Sequence, residues 1–135
     1  MKKQEENMQI AVCNYLRLQY PNAIFMSDVA SGLKMSIGQA VKAKRMRSER
    51  GQPDLFIALS KPNHIFGGTY HGLFLELKRE NTKIFLKDGI TLVADLHIRE
   101  QADLHLKLNN NGYACQFVIG FDHAKKVIDW YMNIK

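Results

Sequence analysis

The sequence has 135 residues, 46% hydrophobic and 24% charged, which reads as one ordinary globular domain spanning residues 1–135 with enough apolar material for its own core. Lysine and arginine outnumber aspartate and glutamate 19 to 13, and the resulting formal charge of +6 favours an anionic partner, nucleic acid before membrane. The two cysteines lack zinc-finger spacing, no apolar h-region follows Met1-Lys2-Lys3, and no apolar run approaches the ~18 residues of a membrane span; zinc module, exported protein and membrane protein are therefore set aside, and the expectation is a cytoplasmic protein.

Met8, Val12, Tyr15 and Leu16 recur at helical spacing and predict a helix from Gln4 to about Gln19, ended by Pro21-Asn22. Glu5, three residues before Met8, projects from the same face, whereas Glu6 is rotated about 100° away. An acid in a first turn is either a solvated charge selected by the helix dipole or part of a site. Ala23 to Ser27 reads as a short strand, and Ser31-Gly32 breaks the pattern. Ser36 then caps a helix carrying Ile37, Ala40 and Val41, whose far end is the basic run Lys42, Lys44, Arg45, Arg47 and Arg50. By itself such a run is a solvated face. Beside a phosphodiester-cleaving site it is a clamp for the DNA backbone, because phosphate contacts are mostly Lys and Arg and are independent of base sequence.

Asp54 to Leu59 reads as a buried strand, with Pro53 at the position where no ladder donor is required. Lys61-Pro62-Asn63 and Gly67-Gly68 punctuate a hairpin-like connection to a strand from Tyr70 to Lys78. Along it Leu73, Leu75 and Leu77 share one face, and Phe74, Glu76 and Lys78 share the other. The leucine face must pack inward against helices, so Glu76 and Lys78 stand together on the opposite side. Residues 80–95 carry one legible feature, a turn at Lys87-Asp88-Gly89. A helix follows from about Ile98 to Asn110, stopped by Asn109-Asn110-Asn111-Gly112. Leu104 and Leu108 line one of its faces with Gln101 three residues earlier, as a capping contact or as part of a site. Tyr113 to Ile119 is a strand, and Asp122 caps a last helix whose apolar face is Val127, Trp130 and Tyr131. The Trp130-Tyr131-Met132 end reads either as core or as an interface.

Hydrolysis of a phosphodiester needs a stabiliser for the developing oxyanion, a source of hydroxide at neutral pH, and in-line positioning of both. A divalent ion held by carboxylates supplies all three. Mg²⁺ takes a few hard oxygens and keeps several waters, so two or three carboxylates suffice. A lysine beside them orients the water and offsets charge on the phosphate. Asp54, Glu76 and Lys78 are residues of those types. His64, His71, His97, His105 and His123 fall at no metal-ligand spacing and no Walker loop occurs, so zinc hydrolase and NTPase readings have no support.

Pro53-Asp54 with Glu76-Leu77-Lys78 resembles the PD-(D/E)xK nuclease superfamily. The longer stretches Gly51-Gln52-Pro53-Asp54-Leu55 and Gly72-Leu73-Phe74-Leu75-Glu76-Leu77-Lys78 resemble the VRR-NUC family within it, as do Glu5 followed by Gln9 and Gln101 on a helix ending at Gly112. The resemblance implies an α/β fold with an αβββαβ core, a mixed sheet flanked by helices, and Mg²⁺ or Mn²⁺ as cofactor. Glu5, Asp54 and Glu76 would then be metal ligands, with the Leu77 carbonyl beside them. Lys78 would position the nucleophilic water, and Gln101 would support Lys78 or the phosphate. Small standalone members resemble Holliday-junction resolvases in being compact dimers, which implies a homodimer acting on branched DNA. The alternative from another class is a nucleic-acid-binding module with this fold and no cleavage.

Overall fold

In the computed structural model, which describes residues 2–28 and 35–135, the elements run α1 (Lys2–Gln19), β1 (Phe25–Ser27), α2 (Ile37–Arg45), β2 (Leu55–Ile57), β3 (Lys61–Pro62), β4 (Thr69–Tyr70), β5 (Leu73–Lys78), α3 (Leu96–Asn110), β6 (Ala114–Ile119) and α4 (Phe121–Met132). The main sheet has the order β1-β2-β5-β6. β1, β2 and β5 pair antiparallel, while β6 runs parallel to β5. A parallel neighbour needs a crossover, and α3 is that crossover. The α/β fold with its αβββαβ order is as expected, and the β3–β4 hairpin is an insertion between β2 and β5.

Leu73, Leu75 and Leu77 are all buried and pack with Met8, Val12 and Leu16 of α1 and with Ala124, Val127, Ile128 and Tyr131 of α4. α1 and α4 therefore share the leucine face of the sheet. A bond network joins them across that face. The Tyr15 and Tyr20 hydroxyls both donate to Asp129 Oδ1, at 2.5 and 2.7 Å. Asp129→Ala leaves two phenols without their acceptor and is expected to lower stability by about 2 kcal/mol. Urea unfolding should show a lower midpoint with an unchanged slope.

The polar face of β5 is treated differently. There Phe56 stacks on Phe74 with ring centroids 4.4 Å apart, and α3 crosses nearer β6, where His105 packs on Phe117 at 4.5 Å. The region around Glu76 lies between these two clusters.

Several boundaries differ from the sequence expectations, each for a local reason. β2 is Leu55–Ile57 rather than Asp54–Leu59: Asp54 bends off the ladder, one further bond from Ala58 N–H to Ile24 O ends the pairing with β1, and the Leu59 carbonyl accepts from the Tyr131 hydroxyl. The strand expected from Tyr70 to Lys78 is divided at His71-Gly72. Gly72 passes so close to Phe56 that a Cβ would lie 2.5 Å from the ring, which makes the absence of a side chain a requirement there. α3 starts at Leu96 because Asp95 caps it by accepting from Ile98 N–H. Its buried residues are Ile98, Gln101 and His105, while Leu104 and Leu108 are only half-buried. Asp122 is not the cap of α4; Gly120 holds that position without a side-chain bond, and Asp122 sits in the first turn, where the helix dipole favours an acid. Trp130 is 45% exposed, because the buried stripe is Ala124, Val127, Ile128 and Tyr131 and Trp130 lies about 100° off it.

Ser36 forms a full capping box with Gln39 at the start of α2, as its position suggests. The helix it starts buries nothing, and Ile37 and Val41 are exposed. The Ser31-Gly32 break lies outside the described residues. Among the described residues no helix is long and apolar enough to cross a membrane.

Candidate active site

The β2–β5 ladder ends where Leu55 pairs with Leu75, and Asp54, the next residue out, bends off it and brings its carboxyl beside that of Glu76. Two bonds hold Asp54 against β5. Asp54 N–H donates to Leu75 O at 3.1 Å, and Asp54 Oδ2 accepts from Leu77 N–H at 2.8 Å. The Leu77 carbonyl faces the same side of β5 as its N–H, toward Asp54.

Glu76 is 3% exposed, and its Oε1 has no hydrogen-bond partner. Burial, then a hydrogen bond with Asp54 and that residue's negative charge, push the Glu76 carboxyl well above the ordinary carboxylate range. The Lys78 ammonium works in the opposite direction, and Glu5 adds a smaller upward push. Glu5 is exposed on the first turn of α1, so it reaches the carboxylate pair through its field. Lys78 is half-buried two residues beyond Glu76 on the same face.

Gln101 comes from the other direction, on α3. It is 4% exposed; its Oε1 is unpartnered, and its Nε2 lies 3.3 Å from His97 Nε2. Gly51 is what brings the Asp54 segment to it. With φ at +77°, Gly51 lies against α3 so closely that a Cβ would be 3.0 Å from the Gln101 backbone. The Gly51-Gln52-Pro53-Asp54 sequence is thus a link from α3 to the mouth of β2.

The sequence reading missed His105. It sits one helical turn beyond Gln101, is 5% exposed, and has an unpartnered Nε2. Burial first, then the Lys78 charge, lower its imidazole to about 4, with Asp54 pulling the other way. The available signal was the Ile98, Gln101, His105 spacing, which is as good a helical stripe as Gln101, Leu104, Leu108.

This donor set fits a hard divalent cation. Two carboxylates face one another, one of them buried with a free oxygen and held toward its protonated form, and a backbone carbonyl lies beside them. Among the described residues no three His, Cys, Asp or Glu converge as a preformed cage. Glu5 is therefore not gathered with Asp54 and Glu76 into one first-rank cluster.

The five basic residues separate into two groups. Lys42, Lys44 and Arg45 are exposed on the last turn of α2. Arg47 is half-buried and donates to Asp28 at 2.9 Å, and Arg50 lies 3.9 Å from Glu100, next to Gln101 on α3.

No protein-family model and no curated protein matches the sequence. Among solved structures, a protein described as a "VRR_NUC domain protein" aligns over 97% of this chain and 89% of its own, with a TM-score of 0.63 and 22% sequence identity. The chain has the fold of that VRR_NUC domain protein, a mixed four-stranded sheet flanked by helices.

Proposed function

We propose that this chain is a metal-dependent DNA endonuclease of the VRR-NUC type, acting as one domain over residues 1–135 in the cytoplasm of a bacterial or phage-infected cell. The observation that carries the reading is the Asp54 carboxyl beside that of Glu76, with Lys78 on the same strand face as Glu76. A strand built only for packing needs none of these charges. The shared fold with a VRR_NUC domain protein and the sequence resemblance support the same conclusion.

Asp54 and Glu76 oxygens and the Leu77 carbonyl would hold Mg²⁺ or Mn²⁺, with Glu5 joining directly or through water. Such an ion, when bound, neutralises phosphate charge and acidifies an attacking water. Because burial and Asp54 hold the Glu76 carboxyl toward its protonated form, binding such an ion there would favour release of a proton. Lys78 orients the attacking water and offsets charge on the phosphoryl oxygens. Gln101 supports Lys78 or the phosphate from α3. Lys42, Lys44 and Arg45 lie along the DNA backbone, with Arg47 and Arg50 contributing through positions already braced by Asp28 and Glu100. A homodimer would present two such centres to a branched substrate such as a Holliday junction, and the exposed Trp130 at the end of α4 is a candidate for that contact.

The test is incubation with labelled four-way junction, flap and linear duplex in Mg²⁺ or Mn²⁺. Cleavage that is lost in Glu76→Ala and Lys78→Ala supports the reading. Binding without any cut identifies a non-cleaving DNA-binding module instead, and cutting that survives both changes removes these residues from the chemistry. Separately, changing Lys42, Lys44 and Arg45 together to alanine should weaken duplex binding and flatten its dependence on salt. Each lost phosphate contact should lower the log–log slope by about 0.9. A slope equal to that of the unaltered protein would show α2 to be a solvated face.

A further inference from the structure

Three buried side-chain atoms have no hydrogen-bond partner among the described residues: Glu76 Oε1, Gln101 Oε1 and His105 Nε2. They come from β5 and from one stripe of α3, on the same side of the sheet. All three accept hydrogen bonds, His105 in its neutral form. Lys78 is the cation whose charge acts on both Glu76 and His105, and an ammonium carries three N–H donors on a stem with four rotatable bonds.

His105 lines a groove of about 500 Å³ together with Phe85, Leu92 and Phe117, yet its Nε2 is sealed from that groove. The ring packs on Phe117, which lies beside Glu76 in the β5–β6 ladder two residues short of Lys78, and the Lys78 and Asp54 charges act on it. A ring placed there merely for packing would be replaced with advantage by leucine, because a buried acceptor left unpaired is destabilising.

We infer that His105 is a positioning residue for Lys78, its Nε2 accepting one N–H of the ammonium when the lysine side chain swings toward α3. An imidazole suits this seat better than a carboxylate would. It accepts the bond without adding a third negative charge beside Asp54 and Glu76, and burial keeps it neutral, so the ammonium retains its proton. The consequence for catalysis rests on the nuclease reading; the bond itself does not.

Long-range ¹H–¹⁵N spectra of the metal-free protein at neutral pH test the bond directly. Expected are a His105 ring protonated at Nδ1 only and a Lys78 ammonium resonance protected from exchange that disappears in His105→Leu. A proton on Nε2, or a Lys78 signal indifferent to His105→Leu, overturns the inference whether or not the protein cuts DNA. Where the unaltered protein cleaves, His105→Leu should lower kcat by about 10- to 100-fold with little change in KM, while thermal stability holds or rises. His105→Gln, which keeps an acceptor, should recover most of the loss. Full activity in His105→Leu would reduce the histidine to a packing residue. Failure of the unaltered protein to cut would instead count against the nuclease reading, and the spectra would still decide the bond.

Discussion

Glu76→Gln is expected to stabilise the metal-free protein and to abolish cleavage. Glu76 is buried at 3% exposure opposite another carboxylate, and its proton is held well above the ordinary value of 4.5 by burial and by Asp54. Below 4.5 the carboxyl is protonated in both folded and unfolded chains, and the group favours neither. As pH rises from there, the unfolded chain releases a proton that the folded protein retains, so stability falls until the folded carboxyl ionises. Glutamine preserves the shape, donates to Asp54 and never ionises. At pH 8 the variant should therefore be more stable by roughly 1–3 kcal/mol, the cost of leaving a buried polar group poorly paired. That difference should vanish near pH 4. Cleavage should fall by about 100- to 1000-fold or more, as when one stabilising group is removed from a transition state. Adding Mg²⁺ at about a hundred times its dissociation constant should raise the unaltered protein's stability by about 2.7 kcal/mol and leave the variant nearly unchanged. A destabilised variant whose melting still responds to Mg²⁺ would make Glu76 a structural residue. A more stable but inactive variant would place the site among the many in which activity is retained at the expense of stability.

The strand chemistry of this chain was legible because it is local. Alternation along Leu73–Lys78 assigns three leucines to the core and Glu76 with Lys78 to the other face, whatever the strand pairs with. The αβββαβ order follows from strand and helix signals taken in sequence together with the resemblance. What sequence could not supply was the pairing across strands. Asp54 and Glu76 are separated by the inserted β3–β4 hairpin, and a slip of one residue would have put them on opposite faces. The rotation of α3 was equally closed to inspection. Its apolar and polar residues support two neighbouring stripes, and only packing against Phe117 selects the one containing His105. The basic run shows the same limit. Arg47 belongs with an acid at position 28, a contact that spacing does not reveal, and α2 buries none of the apolar residues that made it look amphipathic.

His105 also gives the largest expected effect of pH on folding. Its imidazole is lowered from the ordinary 6.5 to about 4 by burial and by the Lys78 charge, with Asp54 opposing. Above 6.5 the ring is neutral in both states, and the full stability is present. As pH falls below 6.5 the unfolded chain takes up a proton that the folded protein refuses, and stability is lost until the folded ring protonates near 4. At about 1.4 kcal/mol per pH unit, the gap corresponds to about 3 kcal/mol. Glu76 runs the other way over part of this range, since its retained proton favours the folded state as pH falls toward 4.5. The total curve therefore conceals the histidine. The difference between the unaltered protein and His105→Leu isolates it, because Glu76 and the remaining carboxylates are common to both. Urea unfolding across pH 4 to 8 should give a difference that is flat above about pH 7 and moves by about 3 kcal/mol in favour of leucine by pH 4. Parallel curves would mean that the ring is solvated and titrates as it does in the unfolded chain, which would also remove the sealed acceptor on which its pairing with Lys78 depends.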